Sequence, residues 1–165
     1  MTGKTARFAE FPRTVQASSA NPAHRYRLVA THFAVHGAPS APGATIDFAA
    51  EKISVYPIER MAEMAAAPSH ATPVYALAKG GTLAVPTGKV FVRLAADQKL
   101  EDHATRFRDA GYEIEQAASH APNAGWLRAA ASSVAAALAG LDRLDAIPGV
   151  ENVEPQMLSR AARKR

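Results

Sequence analysis

The stretch from residue 89 to residue 116, KVFVRLAADQKLEDHATRFRDAGYEIEQ, carries the clearest secondary-structure signal in this chain. Residues 89–94 alternate apolar side chains with others, which predicts a strand that has one buried face. Asp97 can cap the helix that follows, in which apolar residues recur at helical spacing, and Gly111 stands where a left-handed C-cap belongs. Residues 112–116 then alternate again. The stretch therefore predicts a strand, a helix and a second strand.

The residues that follow complete a β-α-β-β-α-β order. A strand at 126–130 pairs back on the strand before it, and a second helix, which Ser132 or Ser133 can cap, comes next. The last strand covers residues 150–154 and ends at Pro155. This order is the ferredoxin-like arrangement, in which two helices lie on one face of a four-stranded antiparallel sheet. We therefore predict an α+β fold with a ferredoxin-like domain over residues 88–155.

The rest of the chain divides into an arm, a β-rich subdomain and a tail. Residues 1–24 show no periodicity and predict a mobile or surface-draped arm. Residues 25–87 contain shorter strand candidates after an alternating strand at 25–36, so they predict a β-rich extension that shares or flanks the sheet. The boundary is expected at Pro86-Thr87-Gly88, because proline and glycine interrupt strands. Residues 156–165 predict an extended basic tail.

The positive charge of this chain is concentrated at its two ends. The formal net charge is +4, yet residues 28–158 carry more acids than bases, and the excess of bases lies in residues 1–27 and 159–165. A folded nucleic-acid surface would place its positive charge in the body of the domain. Phe91 and Trp126 do stand on the predicted central strands, where RNA-recognition modules place stacking aromatics. The charge distribution nevertheless argues against nucleic-acid binding.

The residue types also exclude several kinds of chemistry. The chain has no cysteine, which excludes disulfides, thiolate metal sites and a cysteine nucleophile. No GxSxG, HExxH or SxxK motif is present. His32 and His36 share one face of a predicted strand without a third metal ligand, and Glu113 and Glu115 are typical of a solvated strand face. We therefore predict a protein that is not an enzyme and has no cofactor, metal or small-molecule substrate.

The hydropathy pattern bears on location. No run of about 18 apolar residues predicts a membrane-spanning helix. The first residues also lack the apolar core of a secretory signal. We therefore expect a cytoplasmic protein, or a secreted one if the chain is a processed piece.

Three motifs give residues 88–160 a resemblance to a known family. They are Lys89-Val-Phe-Val-Arg-Leu94, the helix end Ala110-Gly111-Tyr112 and the run LDAIPGVENVEP from Leu144 to Pro155. This part of the chain resembles the propeptide, or inhibitor-type domain, of subtilisin-like serine proteases. Such domains typically end in a GV-x-x-VE strand before an extended tail, and GVENVE at residues 149–154 matches that form.

The resemblance implies a function in trans. The chain would bind a subtilisin-like serine protease as an inhibitor or a folding chaperone, with the outer face of its sheet docked on the protease. The tail would lie in the active-site cleft like a substrate, because extended chain can add a strand to the edge of such a cleft. The protease-binding residues that the resemblance implies are Glu151, Glu154, Pro155, Gln156, Met157, Leu158, Ser159, Arg160, Ala161 and Ala162.

Other interpretations stay open. Met157 and Leu158 could instead clamp back onto the sheet of this protein. The chain could also be a small interaction or assembly module, whose exposed strands pair with a partner or with a second copy. Deleting residues 156–165 should abolish protease binding in the first case and leave partner binding intact in the module. Nucleic-acid binding is a third possibility.

Overall fold

The computed structural model describes residues 8–38, 40–64, 70–77 and 81–160. Within these ranges nine strands join in one antiparallel sheet. The strands are β1 (Thr14–Gln16), β2 (Arg25–His36), β3 (Ile46–Phe48), β4 (Ile53–Pro57), β5 (Ala71–Leu77), β6 (Leu83–Leu94), β7 (Tyr112–Ala118), β8 (Ala121–Ala129) and β9 (Val150–Ser159).

The helical elements of these ranges are all short. The α-helices are α1 (Ala104–Asp109), α2 (Val134–Ala139) and α3 (Leu141–Asp145). Three 3₁₀ turns accompany them, at Ala49–Glu51, Ile58–Glu63 and Leu100–His103. No helix of the described ranges has the length and apolar character needed to cross a membrane.

The strand order shows that β6 connects the two halves of the sheet. The order is β3-β4-β2-β5-β6-β8-β7, with β1 paired to β2 and β9 paired to β6. The first residues of β6 pair with β5, its last residues pair with β8, and β9 runs along the opposite edge of β6. One twelve-residue strand therefore belongs to both halves of the molecule.

The predicted α+β ferredoxin-like fold is wrong. Strands make up 47% of the described residues and helical turns 22%. The four strands β6 to β9 do not form a compact sheet of their own, because β6 continues beyond its pairing with β8 and carries five more strands into the same sheet. Alternation within a short segment predicts a strand but does not show how far that strand extends along a neighbour.

Pro155 was expected to end the last strand, but β9 continues through it to Ser159. The N–H of Val153 donates to Ser19 Oγ (2.9 Å) and its C=O accepts from the N–H of Ser19 (3.0 Å), so both groups point away from β6. Backbone direction alternates along an antiparallel strand. Pro155 therefore also points away from β6, and its missing N–H removes no hydrogen bond from that pairing.

β6 likewise runs through Pro86, Thr87 and Gly88, where a boundary was expected. Pro86 lies opposite Met157, and the register with β9 shifts between Pro86 and Val90. A bulge of this kind takes up extra residues in one strand while the pairing continues on both sides.

Helices cover one face of β6, β7, β8 and β9, and the side chains between the two layers form the C-terminal core. It contains Val90, Val92, Leu94, Leu100, Phe107, Ala110, Tyr112, Leu127, Ala129, Ala137, Leu144 and Val153. Ser133 Oγ caps α2 by accepting from the N–H of Ala136 (3.2 Å), which confirms one of the two predicted caps. Gly111 has φ +96°, the left-handed conformation expected after a helix.

The N-terminal core lies on one face of β2, β4 and β5. It contains Phe8, Phe11, Val15, Phe33, Val35, Tyr56, Met61, Tyr75, Ala135 and Leu138. Tyr75 Oη also donates to the C=O of Pro12 (2.7 Å), which ties the segment before β1 to the sheet. Because α2 places Ala137 in one core and Leu138 in the other, both halves of the molecule share this helix.

The strand core lies on the opposite face of these same strands. In the described ranges it is built from strand residues alone: Ala34, Ile53, Val55, Val74 and Val85, with Ile46, Phe48, Leu83 and Leu158 packed against them. Side chains from both β3 and β9 pack against this core. In the described ranges, strand residues therefore cover one another on this face.

Candidate functional site

One face of the C-terminal half of the sheet carries two aromatic rings, and the described helices all pack on the other face. Val90 and Val92 of β6 point toward the helices, so Phe91 between them points away. Phe91 lies directly opposite Trp126 of β8. The ring centroids are 5.1 Å apart at an interplanar angle of 64°, and both side chains stay partly exposed. We call this surface the aromatic face.

The charges around the two rings balance one another. Three ion pairs surround them: Lys89–Glu115 (3.6 Å), Arg93–Glu151 (3.9 Å) and Arg128–Glu113 (3.1 Å). Such exposed pairs contribute little to stability. They do neutralise the basic side chains that would otherwise contact phosphates. The aromatic face therefore suits a protein partner better than a nucleic acid.

The structure brings two of the predicted site residues to this face. Glu151 is exposed and pairs with Arg93. Glu154 lies opposite Phe91, and its Oε1 accepts from Asn152 Nδ2 (2.8 Å). Pro155 does not belong to the face, because it is buried opposite Val90.

The next predicted site residues lie in β9. Gln156 Oε1 accepts from Thr87 Oγ1 (2.7 Å). Met157 packs against the N-terminal core and Leu158 against the strand core. Both side chains therefore contact this protein's own sheet, which is the second of the two interpretations that the sequence allowed. A partner can therefore contact β9 mainly through its backbone edge and through residues from Ser159 onward.

The end of the chain completes the predicted set. Ser159 pairs with Ala84 and is exposed, and Arg160 is exposed. Ala161 and Ala162 lie outside the described residues.

Sequence reasoning missed Asn152, which is 6% exposed. Its side chain binds residues 18–20 of the N-terminal segment, which we call the strap. Its Oδ1 accepts from Ser18 Oγ (2.6 Å) and from the N–H of Ala20 (3.1 Å). Ser18 and Asn152 are 134 positions apart, so no local pattern could pair them. The strap covers the outer edge of β9 only at residues 152 and 153.

Beyond the strap, no strand of the described ranges pairs with the outer edge of β9. We call the outer edge of residues 154–159 the open edge. It adjoins the aromatic face, because Glu154 belongs to both.

The histidines singled out by spacing do not meet at one site. The ring of His32 hydrogen-bonds Thr31 Oγ1 (2.8 Å), and Nε2 of His36 hydrogen-bonds Thr72 Oγ1 (2.8 Å). In the part of the chain that the structure describes, no three His, Asp or Glu side chains are grouped so that they could hold a metal.

His36 makes stability depend on pH. Burial, and secondarily the positive charge of nearby His70, lower the pKa of His36 to about 4 from its usual 6.5. Below pH 6.5 His36 therefore binds a proton in the unfolded chain, whereas in the folded chain it stays neutral down to about pH 4. Stability is therefore fully present above pH 6.5 and falls by about 3 kcal/mol as pH drops toward 4.

Urea unfolding at pH 7.5 and 4.5 measures this loss of stability. His36→Gln should reduce it, with exposed His24→Gln as the control, and an equal loss in His36→Gln would contradict the assignment.

A cavity of about 420 Å³ lies between β1 and α3. Three charged residues, Arg25, Asp142 and Asp145, line it together with polar and apolar residues of β1, α2 and α3, and all three charged residues are exposed.

Comparison of this chain with family models, with curated proteins and with solved structures finds no match. Its function must therefore be argued from the aromatic face, the open edge and the residues that build them.

Proposed function

We propose that this chain is a non-catalytic protein that binds a subtilisin-like serine protease in trans, as an inhibitor or a folding chaperone. The observation that carries the proposal is the partly exposed Phe91–Trp126 pair on the sheet face opposite the described helices. Aromatic side chains dominate the energy of protein interfaces, especially when polar groups surround them. The ion-paired charges around the rings provide such a polar rim.

The direction of β9 supports the choice of partner. β9 leaves the aromatic face at Glu154 and continues extended to Ser159. At the rise of a strand, these five steps cover about 17 Å. A protease docked on the aromatic face would therefore meet the chain from Ser159 onward at that distance, and protease clefts bind extended backbone. The GVENVE motif at residues 149–154 supports the same partner.

The docking step can be tested with one variant. Trp126→Ala removes the larger ring from the aromatic face and leaves the three cores intact, because Trp126 points away from the helices. Its binding to a subtilisin-like protease should weaken at least about tenfold. Phe48→Ala, a partly buried aromatic on β3, is the matched control and should bind like the unmodified chain. Inhibition of a panel of such proteases, followed by mass spectrometry of any cut, gives both readouts.

Two results would overturn the proposal. One is the absence of binding to every protease of the panel at about 100 µM, where even weak specific complexes form. The other is equal binding by Trp126→Ala and the unmodified chain. Binding to single-stranded RNA that falls steeply with salt would favour the nucleic-acid interpretation instead.

A further inference from the structure

We infer that the open edge of β9 pairs with the open edge of a second copy of this chain, forming a two-fold antiparallel dimer centred on Met157. This inference concerns the backbone edge of β9 and does not rest on the protease proposal. It follows from the direction of the backbone groups and from the charges at the two ends of the edge.

In the part of the chain that the structure describes, the outward backbone groups at every second residue of the open edge have no hydrogen-bond partner. Val153 directs its N–H and C=O away from β6, toward Ser19. By alternation, Pro155, Met157 and Ser159 also direct their backbone groups outward. Met157 and Ser159 each offer a donor and an acceptor, whereas Pro155 offers only its C=O.

These groups complement themselves under a two-fold axis. In an antiparallel pair centred on Met157, the N–H of each Met157 reaches the C=O of Met157 in the second copy. The N–H of each Ser159 reaches the C=O of Pro155 in the second copy. The proline leaves only the Ser159 C=O without a donor, so the pairing tolerates it.

The charges select the same register. Glu154 and Arg160 flank an uncharged run from residue 155 to residue 159. Centring on Met157 places Glu154 directly opposite Arg160 of the second copy, and the symmetry repeats this pair. Opposite charges across a strand pair stabilise it. A shift of the register by two residues in either direction removes both pairs.

The other edges of the sheet are poorer candidates for self-pairing. The edge strand β7 carries Glu113 and Glu115, and like charges placed across an edge oppose pairing. The edge strands β1 and β3 have three residues each. Compared with these three edge strands, the open edge therefore offers the longer uncharged run, residues 155–159, and long uncharged runs at an edge are those that pair with another chain.

Sedimentation equilibrium of the full chain over a range of concentrations tests the dimer. The expected species has twice the monomer mass of 17.4 kDa. Arg160→Glu places two acids opposite each other and should weaken dimerisation at least about tenfold. The double variant Glu154→Arg, Arg160→Glu exchanges the charges and should restore it. Arg108→Glu, an exposed change of the same kind on α1, is the matched control.

A backbone variant tests the hydrogen bonds separately. Ser159→Pro removes an outward N–H and leaves the pairing with β6 intact, so it should abolish the dimer while the chain stays folded by circular dichroism. A chain that stays monomeric up to about 1 mM would overturn the inference. So would a dimer that neither Arg160→Glu nor Ser159→Pro weakens. Neither result bears on protease binding through Trp126.

Discussion

Ending the chain after Pro155 should unfold the N-terminal half of the sheet, whereas ending it after Arg160 should leave stability unchanged. The first truncation removes Met157 and Leu158, two partly buried side chains that pack against the N-terminal core and the strand core, together with their pairing to β6. Loss of one large core side chain typically costs about 2–5 kcal/mol. Because Met157 and Leu158 are only partly buried, each contributes the lower end of this range, and the lost strand pairing adds to it, so the total is a large fraction of the stability of an ordinary domain.

Urea unfolding followed by circular dichroism compares the two truncations with the full chain. The truncation after Arg160 is the matched control, because it keeps all of β9. Equal stability of both truncations would contradict the packing described for Met157 and Leu158. The comparison also decides how protease binding must be tested. Deleting residues 156–165 confounds loss of binding with loss of folding, whereas the cut after Arg160 removes only the last five residues.

Gly125→Ala should destabilise the chain by about 3 kcal/mol, the upper end of what overpacking usually costs. A Cβ on Gly125 would lie 2.6 Å from the C=O of Gln116, 2.6 Å from Leu100 Cδ2 and 2.9 Å from Ala117 Cα. Two of these three atoms belong to the backbone of β7, which cannot move without disturbing its pairing with β8. No rotamer change can relieve such a clash.

The control for this prediction is Gly37→Ala. Gly37 has φ +78° and nothing within 4 Å of its added Cβ, so alanine there meets strain without a clash, at about 1 kcal/mol. Urea unfolding should therefore rank the two variants with Gly125→Ala clearly the less stable. The opposite ranking would show that β7 and β8 are further apart than described.

The local elements of the C-terminal half could be predicted because their signals lie within a few residues. Alternation over residues 89–94 marks a strand, and the structure has β6 there. Gly111 and Ser133 mark helix ends through conformations and hydrogen bonds that one residue supplies. The predicted strand at 126–130 is too short, since β8 extends from Ala121 to Ala129.

The site was only partly predictable. Phe91 and Trp126 were recognised on central strands, and alternation suffices to place both rings on one face. The ion pairs around the two rings and the binding of the strap to Asn152 could not be predicted from the sequence, because they join segments that are far apart in the chain. The last strand differs from its prediction at Pro155, because β9 continues to Ser159 and only the tertiary structure decides which backbone groups pair with β6.

The amino-acid sequence by itself determined the local elements, the acidic body between basic ends and the absence of cysteine chemistry. These properties depend on residue type and short spacing. The tertiary structure alone decided that β6 joins both halves into one sheet, that Met157 and Leu158 pack against two different cores, and that no described strand pairs with the edge of β9 after the strap. The physical reason is that strand pairing is made by backbone groups common to all residues, so its partner and extent depend on what the whole chain buries.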